Sequence, residues 1–188
     1  MRRVAARLET GPASLYTFVR DQRELHVLVL DSIAAMVPRP SARTEGQQDT
    51  VVDLLLDYAR QLHAFPGAAR LALLTPPTGP AFLDLLETAI ERLVGEGLSI
   101  VSAERACDAL FLLVTASIAE QEAPTGDDPA RSIPDLYEEA LDADSTSRPY
   151  LAAAREAMRG EKGGQRLEWS LRAFLAGAKR SSSDGGGR

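Results

Sequence analysis

A single cysteine, Cys107, stands in a chain of 188 residues. It has no partner for an internal disulfide, which suggests a reducing compartment and a packing role for the thiol. Histidine is nearly as scarce: His26 and His63 fall in separate helical stretches, neither with a ligating residue four positions on. A metal site needs about three or four suitable ligands, so no metal centre is expected. Long apolar runs are missing too. No stretch reaches the roughly eighteen apolar residues of a membrane helix, and no charged segment leads into a long apolar one. Neither spanning nor export is indicated, and the expected place is the cytoplasm. There is no Ser/His/Asp order, Gly-rich phosphate loop or nucleophile elbow, and Gly95, Gly97 and the Gly163-Gly164 pair end helical stretches. Catalysis and a bound cofactor are therefore not expected. No alternation of period two marks a strand, so the fold class read from the pattern is all-α.

The formal net charge of −6 argues against a protein that coats nucleic acid generally. Its distribution says more. Residues 1–24 hold five arginines against Glu9, Asp21 and Glu24, so a basic end is joined to an acidic body. Such a chain suits one focused contact with a polyanion.

That basic end has a pattern of its own. Val4, Ala5 and Leu8 share one helical face, with Arg2, Arg3 and Arg7 elsewhere on the surface. The turn Glu9-Thr10-Gly11 is followed by Pro12, favoured at the first position of a helix, where its missing N–H costs nothing. A second helix over 12–19 follows, with Leu15 and Val19 inward and Ser14, Thr17 and an edge of Tyr16 outward. Asp21 with Glu24 three residues on resembles a capping box for a third. Two short helices joined by a Gly-containing turn form the helix-turn-helix pattern, whose second helix enters the DNA major groove.

The run RRVAARL followed by GPASLYTFVRDQREL is similar to the DNA-binding motif of the tetracycline-repressor (TetR) family of bacterial regulators. There a recognition helix with a Leu-Tyr pair precedes an aromatic-Val and a charged turn. The match is close over about 25 residues. The remainder resembles the family's ligand-binding and dimerisation half in architecture, with PPTGPAFLDLLETAIERLVGEGLS typical of one of its C-terminal types. Two departures stand out. Glu9 occupies a turn position where the family usually has Gly, and the chain starts at Met1 without the helix that precedes this motif in family members.

The resemblance implies a homodimer whose two recognition helices, residues 12–18, enter successive major grooves of double-stranded operator DNA about 34–36 Å apart. DNA contacts are then expected from Arg3, Thr10, Gly11, Pro12, Ser14, Tyr16, Thr17, Arg20 and Gln22, with Tyr16 on a phosphate and Thr17 near a base edge. The helix over 22–36, striped with Leu25, Leu28, Val29, Ile33 and Met36, would connect the two parts and set the separation of the recognition helices. A small apolar effector would lie between the helices from 50 to 119, walled by His63, Leu74, Phe82, Leu86, Phe111 and Thr115. For His63, beside Phe65 and one turn from Tyr58, a structural role and a ligand-facing role both stay open.

The domains read as 1–37, an incomplete helix-turn-helix unit with its connecting helix; 38–49, a polar linker; 50–180, the ligand-binding and dimerisation part; and 181–188, a Gly/Ser-rich disordered tail. Helices are expected near 50–64, 67–74, 79–95, 100–122, 135–143, 147–160 and 165–179, with a loop over 122–134. Apolar residues wrap most of the 103–119 helix, which must be covered from more than one side. The last helix has an apolar side and a flatter second face. Leu110, Leu113 and Ser117 of the former with Trp169, Ala173, Ala176 and Gly177 of the latter are the expected four-helix dimer interface. The function read here is a ligand-responsive regulator, a repressor released by its effector. The alternative is a helical dimer that binds a small molecule or a partner protein and has lost DNA binding.

Overall fold

The computed structural model describes residues 1–38, 50–122, 139, 147–157 and 163–184. Among them all regular structure is helical: α1 (Arg2–Arg7), α2 (Pro12–Leu15), α3 (Gln22–Ala35), α4 (Val51–Ala64), α5 (Ala68–Leu74), α6 (Pro80–Gly95), α7 (Ile100–Gln121), α8 (Pro149–Ala157) and α9 (Gly163–Asp184).

The helices α3, α4 and α7 each start where a side chain satisfies the N–H groups that a first turn leaves free. Asp21 caps α3, accepting from the Glu24 N–H at 2.8 Å, while the Glu24 carboxylate reaches back to the N–H and guanidinium of Arg20. Thr50 and Asp53 form a reciprocal capping box at α4. Glu96, from the end of α6, accepts from the Val51 N–H at 3.0 Å and pairs with Lys179 of α9 at 2.9 Å. The end of α6, the start of α4 and the last third of α9 are tied at one point. Ser99 caps α7.

The core lies around α7, which packs against α4, α5, α6 and α9. Leu54, Leu55 and Leu62 of α4, Leu85 and Leu93 of α6, Leu110 and Val114 of α7 and Leu171 of α9 are fully buried. Complete burial of one such side chain contributes about 1.5–3 kcal/mol. From the N-terminal part, only Ile33, Ala34 and Val37 join this core, while Ala5, Val19 and Leu30 are buried outside it.

Three local readings change. The second helix ends at Leu15 and continues as a turn instead of running to 19. The inward face of α3 is Leu30, Ile33 and Ala34, and Leu28, Val29 and Met36 are exposed. That rotation brings Asp31 against the start of α6, a polar contact that an apolar stripe cannot register. The last helix runs on through Ser181–Asp184, four residues that were expected to belong to a disordered tail. Its docked stripe Leu167, Leu171 and Leu175 holds the helix, and the polar end prolongs it. The expected 135–143 helix, most of the 122–134 loop, the 39–49 part of the linker and residues 185–188 lie outside the described residues.

Candidate functional site

The N-terminal unit is closed by a helix-ending motif that normally uses glycine. Glu9 has φ 52°, its N–H donates to Ala6 O at 3.3 Å, and the Thr10 N–H donates to Ala5 O at 3.0 Å. These two bonds, with a left-handed residue between them, are a Schellman ending of α1. Glu9 thus stands, at a steric cost, where a residue without Cβ would be relaxed. Gly11 then caps α2 in an extended conformation with Pro12 behind it.

The expected DNA-contacting residues lie on this surface. Arg3, Gly11, Ser14, Tyr16, Thr17, Arg20 and Gln22 are exposed and Thr10 is half-buried. Three are already engaged. The Thr17 hydroxyl donates to Ser14 O at 2.6 Å. Arg20 pairs with Glu24, whose carboxyl is held below its ordinary range first by the Arg20 N–H and then by the guanidinium. Gln22 hydrogen-bonds the His26 ring at 3.2 Å. The sequence pattern assigns no role to Phe18, whose ring is 83 % exposed beside Thr17 in the chain.

A second constellation sits in the body. Tyr58 of α4, Phe82 of α6 and Phe111 of α7 form a triangle of rings, with centroids 5.1 Å apart for Tyr58–Phe111, 5.6 Å for Phe82–Phe111 and 6.2 Å for Tyr58–Phe82. Such edge-on and tilted pairs are favourable beyond their area. Burial raises the Tyr58 phenol above its ordinary range, opposed by the neighbouring Thr115 side chain. Thr115 in turn donates to Phe111 O at 2.8 Å.

Of the six expected effector-wall residues, Phe82, Phe111 and Thr115 are gathered here, and Leu86 is half-buried against the same core. His63 and Leu74 are not. His63 lies on the exposed side of α4, one position past fully buried Leu62, and Leu74 ends α5 with its side chain 83 % exposed. Tyr58 is the member that sequence reasoning passed over. Its signal was the α4 stripe of Val51, Leu55, Tyr58 and Leu62. One turn from Phe111, Cys107 is buried, and burial, then Asp108 and Glu104, push its thiol up to about 12, so it packs and does not react.

The expected dimer face is divided. Leu110 is fully buried inside its own chain and is part of the core. Leu113 and Ser117 are half-buried, and beside them on α7 Leu112 is exposed. On α9, Trp169 is 72 % exposed, with Ala173 and Ala176 exposed and Gly177 half-buried. An ion pair between Arg166 and Glu120 joins the two helices beside this face.

Residues 41–181 match the family model for the tetracyclin repressor-like C-terminal domain. The chain belongs to the TetR family. Solved TetR-family relatives share the fold over nearly its whole length. A transcription regulator from Streptomyces coelicolor is 30% identical, with 95% of this chain and 83% of that chain covered and a TM-score of 0.71. ActR of the same organism, in complex with actinorhodin, is 29% identical over 97% of this chain and 87% of that one, with a TM-score of 0.71. TetR from Acinetobacter baumannii is 25% identical, with 96% and 86% covered and a TM-score of 0.63. The chain matches none of the curated proteins. Membership places it in a family of ligand-responsive DNA-binding regulators and not of enzymes. Among the described residues no cluster of three or more His, Cys, Asp or Glu could hold a metal, and no helix is long and apolar enough to cross a membrane.

Proposed function

We propose that this TetR-family chain is a cytoplasmic repressor that binds a palindromic operator as a homodimer and is released by a small, flat, largely apolar effector. The observation that carries the reading is an exposed recognition segment, Ser14, Tyr16 and Thr17, joined by one continuous helix to a body with a buried aromatic triangle. Tyr16 and Arg3 take phosphates, and Thr17 reaches a base edge. In the body, an aromatic effector stacks among Tyr58, Phe82 and Phe111, with the Tyr58–Thr115 hydroxyl pair as polar handle. The complex of ActR with actinorhodin supports small-molecule binding in the body. The exposed faces around Leu112, Leu113, Trp169, Ala173 and Ala176 supply the dimer contact. To move occupancy from 1:99 to 99:1 the effector must prefer the released state by about 5.5 kcal/mol.

The test is titration of the DNA upstream of its own gene over a salt series. A single palindrome is expected to bind, with log affinity falling linearly at a slope of about 0.9 per phosphate neutralised. Tyr16→Phe is expected to weaken binding evenly across sequences, and Thr17→Ala to relax discrimination at one base pair. A folded dimer that binds no segment of this DNA points instead to a partner- or ligand-binding protein without an operator.

A further inference from the structure

The start of α6 has no cap of its own. Gly79 occupies the cap position without a side chain and Pro80 follows. The missing acceptor comes from another helix: Asp31 of α3 accepts from the Phe82 N–H at 2.9 Å, across 51 positions of chain. A carboxylate at a helix N-terminus is favoured by the bond and by the helix dipole together. The approach is so close that a Cβ on Gly79 would stand 2.2 Å from Asp31 Cγ and Oδ1 and 2.5 Å from its Cβ. Only glycine lets α3 and α6 meet in this way.

Phe82 faces both ways. Its N–H is held by the connecting helix, and its ring stands edge-on to Phe111 at 5.6 Å and near Tyr58 at 6.2 Å. We infer that Asp31 is the positioning residue that couples the aromatic triangle to the DNA-binding end, acting through the first turn of α6. A ligand that displaces the Phe82 ring moves its backbone, and Asp31 carries that movement into α3. The inference rests on the effector reading above, yet the contact can be tested without effector, operator or dimer.

The experiment is amide hydrogen exchange on the full chain, with Asp31→Ala, Asp31→Asn, and a ring-side perturbation, Phe111→Trp, in the native and Asp31→Ala backgrounds. Loss of the cap in Asp31→Ala is expected to speed exchange at the Phe82 amide about tenfold while the amides of Leu55 and Val114 stay unchanged. Asp31→Asn, which keeps an acceptor, restores most of that protection. Phe111→Trp is expected to change protection over Leu30–Ala34 only when Asp31 is present. If Phe111→Trp does not fold, Phe111→Leu supplies the same perturbation by leaving space. An unaltered Phe82 amide in Asp31→Ala, or a ring perturbation that reaches α3 equally without Asp31, overturns the inference. Failure to bind promoter DNA with this coupling intact would overturn the regulator reading and leave the contact standing.

Discussion

Glu9 ends α1 with φ 52°, a conformation in which its Cβ crowds the following carbonyl. Glycine relieves that crowding but widens the unfolded ensemble. Glu9→Gly is therefore expected to stabilise the N-terminal unit by about 0.5–1 kcal/mol, read as slower amide exchange at Thr10, whose N–H closes the turn. A decrease in protection there would remove the strain argument. In the body, the buried Thr115 hydroxyl donates to Phe111 O at 2.8 Å and lies beside the Tyr58 phenol. Thr115→Val keeps the shape and deletes that hydroxyl, and an expected loss of about 0.5–1.5 kcal/mol in urea unfolding reports the missing bond. Cys107 makes a third residue-scale test. With its thiol pushed up to about 12 and its side chain buried, it should stay unmodified by a thiol reagent at pH 8 until the chain unfolds.

At the scale of the helix, caps decide how stability varies with pH. Burial alone would raise the Asp53 carboxyl, but the Thr50 hydroxyl and N–H outweigh it and hold it below its ordinary value of 3.8. A carboxyl lowered by folding contributes stability that is fully present above that value and is lost as pH falls through the lower folded one. The urea midpoint is thus expected to fall on acidification below about pH 4, and Asp53→Asn to flatten that decline. A parallel decline in both proteins would assign it to other carboxylates. The same caps explain what could be read in advance. α4, α6 and α7 span Val51–Ala64, Pro80–Gly95 and Ile100–Gln121, within a residue of the expected ranges, because a period-3.6 stripe and a local stop or start agree at each end. Local pattern fails where the deciding partner is remote. The rotation of α3 depends on Asp31 meeting α6, 51 positions away, and the burial of Leu110 depends on which sides of an almost wholly apolar helix its neighbours cover. Hydrophobic company in sequence points His63 and Leu74 toward a pocket, whereas both are exposed on the surface. The aromatic triangle was two-thirds legible, through Phe82 and Phe111, and Tyr58 completes it.

For the whole molecule, a basic head on an acidic body places the attraction for DNA at one end, and α3 is the covalent route between head and core. Only its last turn and Val37 are embedded in the main core, so the proposed movement at the start of α6 acts near the embedded end of this helix and is carried along it to the head. In the proposed homodimer, two such heads read the operator. Trp169→Glu places a charge on the exposed apolar face of α9 and is expected to give folded monomers by sedimentation, with operator affinity lost although Ser14, Tyr16 and Thr17 are untouched. The most direct measurement titrates a labelled promoter duplex with the full chain, with and without a panel of flat polycyclic aromatics. The account predicts two chains per palindrome and at least one aromatic that lowers DNA affinity, with Phe82→Ala blunting its effect. Aromatics that bind among Tyr58, Phe82 and Phe111 while DNA affinity stays unchanged, or a folded dimer that never binds the duplex, would contradict it.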